Sequence, residues 1–127
     1  MLKWIVAAGA LMAMPAVALA QDAEAGKAVF KKCAPCHDIG ANAKNKVGPE
    51  LNGILGRKAA SVEGFNYSKA LKDSGITWDD EKLHAWLADP KKLVPGTKMI
   101  FPGVKDEIER DDLIAYIESF NADGTQK

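Results

Sequence analysis

Net charge is the first thing this chain does without. Seventeen basic side chains stand against seventeen acidic ones in 127 residues, so there is no basic surplus of the kind nucleic-acid binding requires. Cysteine is equally scarce. With only Cys33 and Cys36 present, His37 and His84 have no second cysteine pair with which to complete a four-ligand zinc site. No Ser/His/Asp set and no phosphate-binding glycine loop is present, and there is no repeat, low-complexity run or internal linker. Strand patterns are weak throughout. No apolar run reaches the ~20 residues a spanning helix needs, and the longest, Trp4 to Leu19, is interrupted by Pro15.

That N-terminal run has another use. Lys3 precedes it and it reaches Ala18-Leu19-Ala20 before Gln21, the layout of a secretory signal peptide with a small-residue cleavage site. Residues 1–20 are therefore expected to be removed, leaving residues 21–127 as a single domain delivered to the periplasm. Without Lys3 the balance is 16 basic against 17 acidic residues. A domain of this size has a marginal core that a bound cofactor often completes. An oxidising compartment permits a disulfide, so location alone does not decide what the two cysteines do.

Their context does. Cys33-Ala34-Pro35-Cys36-His37 is a C-x-x-C-H run, the attachment signature of a c-type haem. Each thiol adds across a haem vinyl group, and the adjacent histidine is left as an axial ligand of the iron. A structural disulfide has no need of that histidine.

The rest reads as short helices. Asp22 can cap a first helix carrying Ala25, Ala28, Val29 and Phe30 and ending just before the cysteine motif. Residues 38–66 hold five glycines and no sustained period, so they read as loops able to wrap one edge of a flat cofactor. Ser68 can cap a short helix through Leu71 that Gly75 closes. Thr77-Trp78-Asp79-Asp80 resembles a capping box opening a helix through Trp86 that stops at Asp89-Pro90. The last helix is the clearest, with Asp106, Glu107 and Glu109 at its N-terminal end and an apolar stripe of Leu113, Ile117 and Phe120 expected to pack on the first helix.

The second axial ligand is found by elimination. Beyond the signal peptide, Met99 is the one methionine and His84 the one further histidine. Alone, Met99 would be a flexible core filler. It lies, however, in Val94-Pro95-Gly96-Thr97-Lys98-Met99-Ile100-Phe101-Pro102-Gly103, a stretch bounded by proline and glycine that can hold one side chain at a fixed point. Methionine is the favoured ligand and His84 the alternative. A thioether favours ferrous over ferric iron and raises the potential. Two protein ligands also leave no open iron position, which favours electron transfer over catalysis.

Lys31, Lys32, Lys44, Lys46, Lys91, Lys92, Lys98 and Lys105 fall close in sequence to the segments bearing Cys33 and Met99. As a set they are expected to form a positive rim that steers the protein onto acidic docking faces; Lys31, Lys32, Lys46, Lys91, Lys92 and Lys98 are its partner-binding core. Two other function classes remain open. A thiol oxidoreductase using Cys33 and Cys36 would need a βαβ context. A haem peroxidase or gas sensor would need a vacant iron position.

The motif order resembles the class I cytochromes c, specifically the mitochondrial-like group of bacterial periplasms. The resemblance runs from Gly26 to Phe120 through Phe30, Cys33 to His37, Gly48-Pro49, Gly56-Arg57, Gly64-Phe65, Tyr67, Gly75-Ile76-Thr77-Trp78, Pro95-Gly96-Thr97-Lys98-Met99 and Asp112 to Tyr116. It implies an all-α fold of short helices and loops around one covalently bound haem c. It further implies that the Pro49 carbonyl accepts from the His37 Nδ1–H, and that Arg57, Tyr67 and Trp78 bond the haem propionates. Trp86 stands where many members have a tyrosine near the methionine sulfur, and Leu71 where an asparagine supports internal water; Trp86 then donates from its indole or packs beside the ligand. The implied role is a monomeric, non-enzymatic electron carrier. Its donor would be a quinol-oxidising cytochrome bc complex and its acceptor a terminal oxidase or a photosynthetic reaction centre.

Overall fold

The computed structural model describes Gly9 and residues 22–127. The expected signal peptide, apart from Gly9, lies outside the described residues. Among the described residues, five helices and a 3₁₀ turn make up the regular structure: α1 (Ala23–Val29) running into the turn Phe30–Lys32, then α2 (Lys69–Asp73), α3 (Asp80–Ala88), α4 (Pro90–Leu93) and α5 (Glu107–Glu118). No strand occurs among the described residues, only isolated bridges between Lys58 and Thr77 and between Phe120 and Gln126.

Each α-helix start has a side-chain cap. Asp22 accepts from the Glu24 and Ala25 amides, Ser68 from Leu71, Asp79 from Lys82 and Asp106 from Glu109, which satisfies donors that have no intrahelical acceptor. Two details depart from expectation. The cap of α3 is Asp79 instead of Thr77, whose backbone is drawn into the bridge with Lys58. Pro90 does not simply end the helical run. Asp89 closes α3 and at once caps α4, where Pro90 occupies the first turn and its missing N–H costs nothing.

α1 crosses α5 in close backbone contact at Gly26. A Cβ built on Gly26 would lie 1.9 Å from the Asp112 carbonyl oxygen and 2.8 Å from the Tyr116 Cβ, so this crossing requires glycine. Around it, Phe30 and Tyr116 rings pack with centroids 5.4 Å apart, and Tyr116 continues edge-on to Phe120 at 5.3 Å. Leu113, Ile114 and Ile117 are buried beneath them, together with Leu83, Trp86 and Leu87 from α3 and Val104.

The α3–α5 seam carries a titratable contact. Burial pushes the Glu118 carboxyl up to about 7, helped by a hydrogen bond and charge repulsion from Asp80, while Lys127 pulls it down. Its Oε1 is buried without a hydrogen-bond partner. Because the folded-state value exceeds the unfolded one, the native protein holds this proton more tightly. The associated stability is complete below about 4.5 and lost as pH rises through about 7. Glu118→Gln is therefore expected to lose less stability than the parent between pH 5 and pH 8, by about 1 kcal/mol after allowance for solvent screening. Guanidinium unfolding at the two pH values measures the difference; equal losses in both proteins would contradict it.

Candidate haem-attachment site

The 3₁₀ turn delivers Cys33 into the core, where it is buried, with Cys36 and His37 half-buried behind it. The Cys33 carbonyl accepts the amides of both Cys36, at 3.0 Å, and His37, at 2.9 Å. This tight turn sets both sulfurs and the imidazole on one short segment. Burial pushes the Cys33 thiol up to about 11 despite the opposing charge of Lys32. A catalytic thiol pair needs a depressed value, so this environment disfavours thiol–disulfide exchange and suits a cysteine joined to a cofactor.

His37 is held from the loop that follows. Its Nδ1 lies 2.7 Å from the Pro49 carbonyl oxygen. A carbonyl only accepts, so Nδ1 carries the hydrogen and Nε2 is left with its lone pair for a metal. Burial lowers the imidazole below its ordinary range, and the Pro49 contact opposes this while Arg57 and Lys46 add to it; the neutral ring is the form that ligates iron. Gly48 lies flat against the same ring: a Cβ there would sit 2.3 Å from the His37 Cε1. Gly48 N also donates to the Cys36 carbonyl at 2.8 Å.

Asn52 is a part of this loop that sequence reasoning missed. It is buried, its Oδ1 accepts from Gly40 N at 2.8 Å and its Nδ2 donates to Gly40 O at 2.9 Å. The two bonds tie the residues after His37 to those after Pro49. A lone asparagine in a loop carries no sequence signal for such a clamp.

Arg57 is half-buried. Its guanidinium donates to the carbonyls of Glu50 and Asn52, both at 3.1 Å, and pairs with the Glu50 carboxylate at 3.6 Å. Its backbone carbonyl accepts from Trp78 N at 2.9 Å, so Arg57 and Trp78 are adjacent. Trp78 is buried edge-on against Trp86, with ring centroids 5.3 Å apart. Tyr67 is buried as well; its hydroxyl accepts from Val62 N at 3.1 Å and Phe65 packs against its ring.

Met99 comes from the far half of the chain. Its loop is anchored at one end by buried Val94 and at the other by Gly103, where a Cβ would meet the Ala88 carbonyl at 2.1 Å, and by Val104 N donating to Leu87 O at 2.7 Å. Half-buried Met99 packs on the same apolar cluster as Phe30, Cys33, Trp78 and Trp86. His84, the competing donor, is committed elsewhere: its Nε2 lies 2.7 Å from Asp111 Oδ1 on α5. Two thiols and an imidazole with a free Nε2 on one short segment, with a thioether packed on the same apolar cluster as Cys33, are a donor set that fits haem c.

The expected docking lysines divide. Lys31, Lys91, Lys92 and Lys98 are exposed and make no ion pair among the described residues, Lys32 reaches Glu109 at 3.7 Å, and Lys46 is bonded to the motif itself.

The family model for cytochrome c matches residues 23–121. The chain is 59% identical to cytochrome c2 of Blastochloris viridis over 117 residues, covering 92% of each protein. It is 55% identical to cytochrome c-550 of Nitrobacter winogradskyi over 84% of this chain and 97% of that protein. Among solved structures it superposes on cytochrome cH from Methylobacterium extorquens with a TM-score of 0.71 and 52% identity, covering 76% of this chain and 96% of the other. The helical fold, the thiol and imidazole chemistry at residues 33–37 and these likenesses converge: the chain belongs to the cytochrome c family, carries covalently attached haem c and is an electron carrier rather than an enzyme.

Proposed function

We propose that Cys33 and Cys36 bind the haem by thioether bonds, that His37 and Met99 are its axial ligands, and that the protein works as a monomer in the periplasm after removal of residues 1–20. When bound, the haem supplies a one-electron couple. The protein's part is to hold that couple dry and at a high potential. Pro49 fixes the His37 tautomer, Trp86 packs beside or donates to the methionine side of the haem, Arg57, Tyr67 and Trp78 bond the propionates, and the Arg57 guanidinium offsets their charge. The observation that carries this reading is the 2.7 Å contact between His37 Nδ1 and Pro49, which leaves Nε2 unprotonated for iron. An optical spectrum of the purified protein, oxidised and reduced, tests it. A c-type haem together with the weak red-end sulfur-to-ferric-iron band supports the four assignments; haem without that band removes Met99.

The proposed donor is a quinol-oxidising cytochrome bc complex, and the acceptor a terminal oxidase or a photosynthetic reaction centre. Lys31, Lys91, Lys92 and Lys98, exposed and without an ion pair among the described residues, are the cations best able to meet acidic faces on such partners. Changing Lys91, Lys92 and Lys98 together to glutamine is expected to slow oxidation of the ferrous protein by the trianion ferricyanide about tenfold at low salt. The gap should close as ionic strength rises to 0.5 M. Equal rates at low salt would remove these lysines from the rim.

A further inference from the structure

Lys46 behaves unlike the other lysines near the haem motif. Its ammonium donates to the Ala34 carbonyl at 2.8 Å and pairs with the Asp38 carboxylate at 3.0 Å. The Asp38 carboxylate also accepts from Lys44 N at 3.2 Å. The Lys46 side chain is 38% exposed, against 88% for Lys69 in an ordinary surface pair.

The position of these bonds matters more than their number. Ala34 lies between the two cysteines and Asp38 directly follows His37, so one ammonium joins both ends of the motif. The carbonyls of the motif are then taken up in turn: that of Cys33 by the amides of Cys36 and His37, that of Ala34 by Lys46 Nζ, and that of Cys36 by Gly48 N. Lys46 N itself donates to Gly48 O at 2.9 Å, and Gly48 is the residue pressed against the His37 ring. Segment 46–49 is thereby fastened to segment 33–38 at Ala34, Cys36, His37 and Asp38.

We infer that Lys46 is a positioning residue for the haem-binding segment, its ammonium locking Ala34 and Asp38 so that Gly48 and Pro49 stay seated on His37. This rests on the reading of Cys33, Cys36 and His37 as haem-binding residues. A charge-assisted bond between loops raises the cost of opening them locally, without requiring the whole fold to unfold.

The test compares haem-loaded wild type, Lys46→Gln, Lys46→Arg and Lys92→Gln in the ferrous state, following hydrogen exchange of the His37 Nδ1–H and the Gly48 amide by NMR. The Leu113 amide in α5 serves as the reference for global opening. In Lys46→Gln the two loop protons are expected to exchange at least about tenfold faster, with Leu113 unchanged. Lys46→Arg, which keeps a donor, should restore most of the protection, and Lys92→Gln should leave it untouched. The reduction potential of Lys46→Gln should shift while that of Lys46→Arg stays near the parent's. Unchanged loop exchange in fully haem-loaded Lys46→Gln overturns the proposal, as does equal acceleration at Leu113. Should Lys46→Gln not accumulate, Asp38→Asn removes the ion pair alone and should give a smaller acceleration in the same direction; no acceleration there is equally fatal. Absence of covalently bound haem in the wild type would instead overturn the site assignment, which keeps the two failures apart.

Discussion

Met99→Ala is expected to lower the reduction potential by on the order of 0.2–0.4 V, out of the ~0.8 V range that axial ligands control. The thioether is a neutral, soft donor that stabilises ferrous iron more than ferric. With Met99 as the proposed axial ligand, its removal would abolish that preference and leave one side of the iron accessible to small molecules. Three signals should change together: the midpoint by spectroelectrochemistry, the red-end band of the ferric protein, and carbon monoxide binding to the native ferrous protein, which the parent should resist. The fold should survive, because Met99 is half-buried and its loop is held independently by Val94, Gly103 and Val104. An unchanged midpoint would show that another residue, or none, faces His37 across the iron.

Gly26→Ala is the second large effect, and it acts on stability. The added Cβ would meet the backbone carbonyl of Asp112 at 1.9 Å for its oxygen and 2.5 Å for its carbon. Neither atom can rotate away as a flexible side-chain tip would, so α1 and α5 must separate. Overpacking of this kind costs typically 1–3 kcal/mol, and a clash with helix backbone belongs at about 3 kcal/mol or above. Alanine's better helix propensity returns only about 1 kcal/mol. Guanidinium unfolding should show a lower midpoint with an unchanged slope. Separation of α1 from α5 also loosens the turn that delivers Cys33, so the variant is expected to accumulate less haem-loaded protein. A midpoint within experimental error of the parent would contradict the crossing.

Much of the helical layout was legible locally. Asp22, Ser68 and Asp106 cap the helices that their sequence context announces, because a cap bonds a backbone amide only two or three residues away. Where two readings competed, sequence distance could not arbitrate. Thr77 and Asp79 both offer an oxygen to the start of α3, and Asp79 serves because the backbone of Thr77 pairs with Lys58 nineteen residues earlier. Likewise Asp89-Pro90 was legible as a stop but not as a restart. Both meanings satisfy the same local rule, and α4 appears because its buried Pro90 packs into the fold.

The chemistry of residues 33–37 was determined by the sequence itself, because two thiols and an imidazole at that spacing are contiguous and need no fold to bring them together. The elimination that favours Met99 also belongs to composition, since few soft or imidazole donors exist in the chain. The rim of lysines shows the opposite case. By sequence, Lys46 is indistinguishable from Lys91, Lys92 or Lys98, and proximity along the chain groups them all. Only the tertiary structure places the ammonium of Lys46 on Ala34 and Asp38, seats Gly48 on the His37 ring, closes Asn52 on Gly40 and brings Gly26 against Asp112. These contacts join residues eight to 86 positions apart, and all but the Lys46–Asp38 pair have a backbone carbonyl, amide or glycine Cα on at least one side, which carries no residue-specific signal. Their meeting is decided by how the whole chain packs.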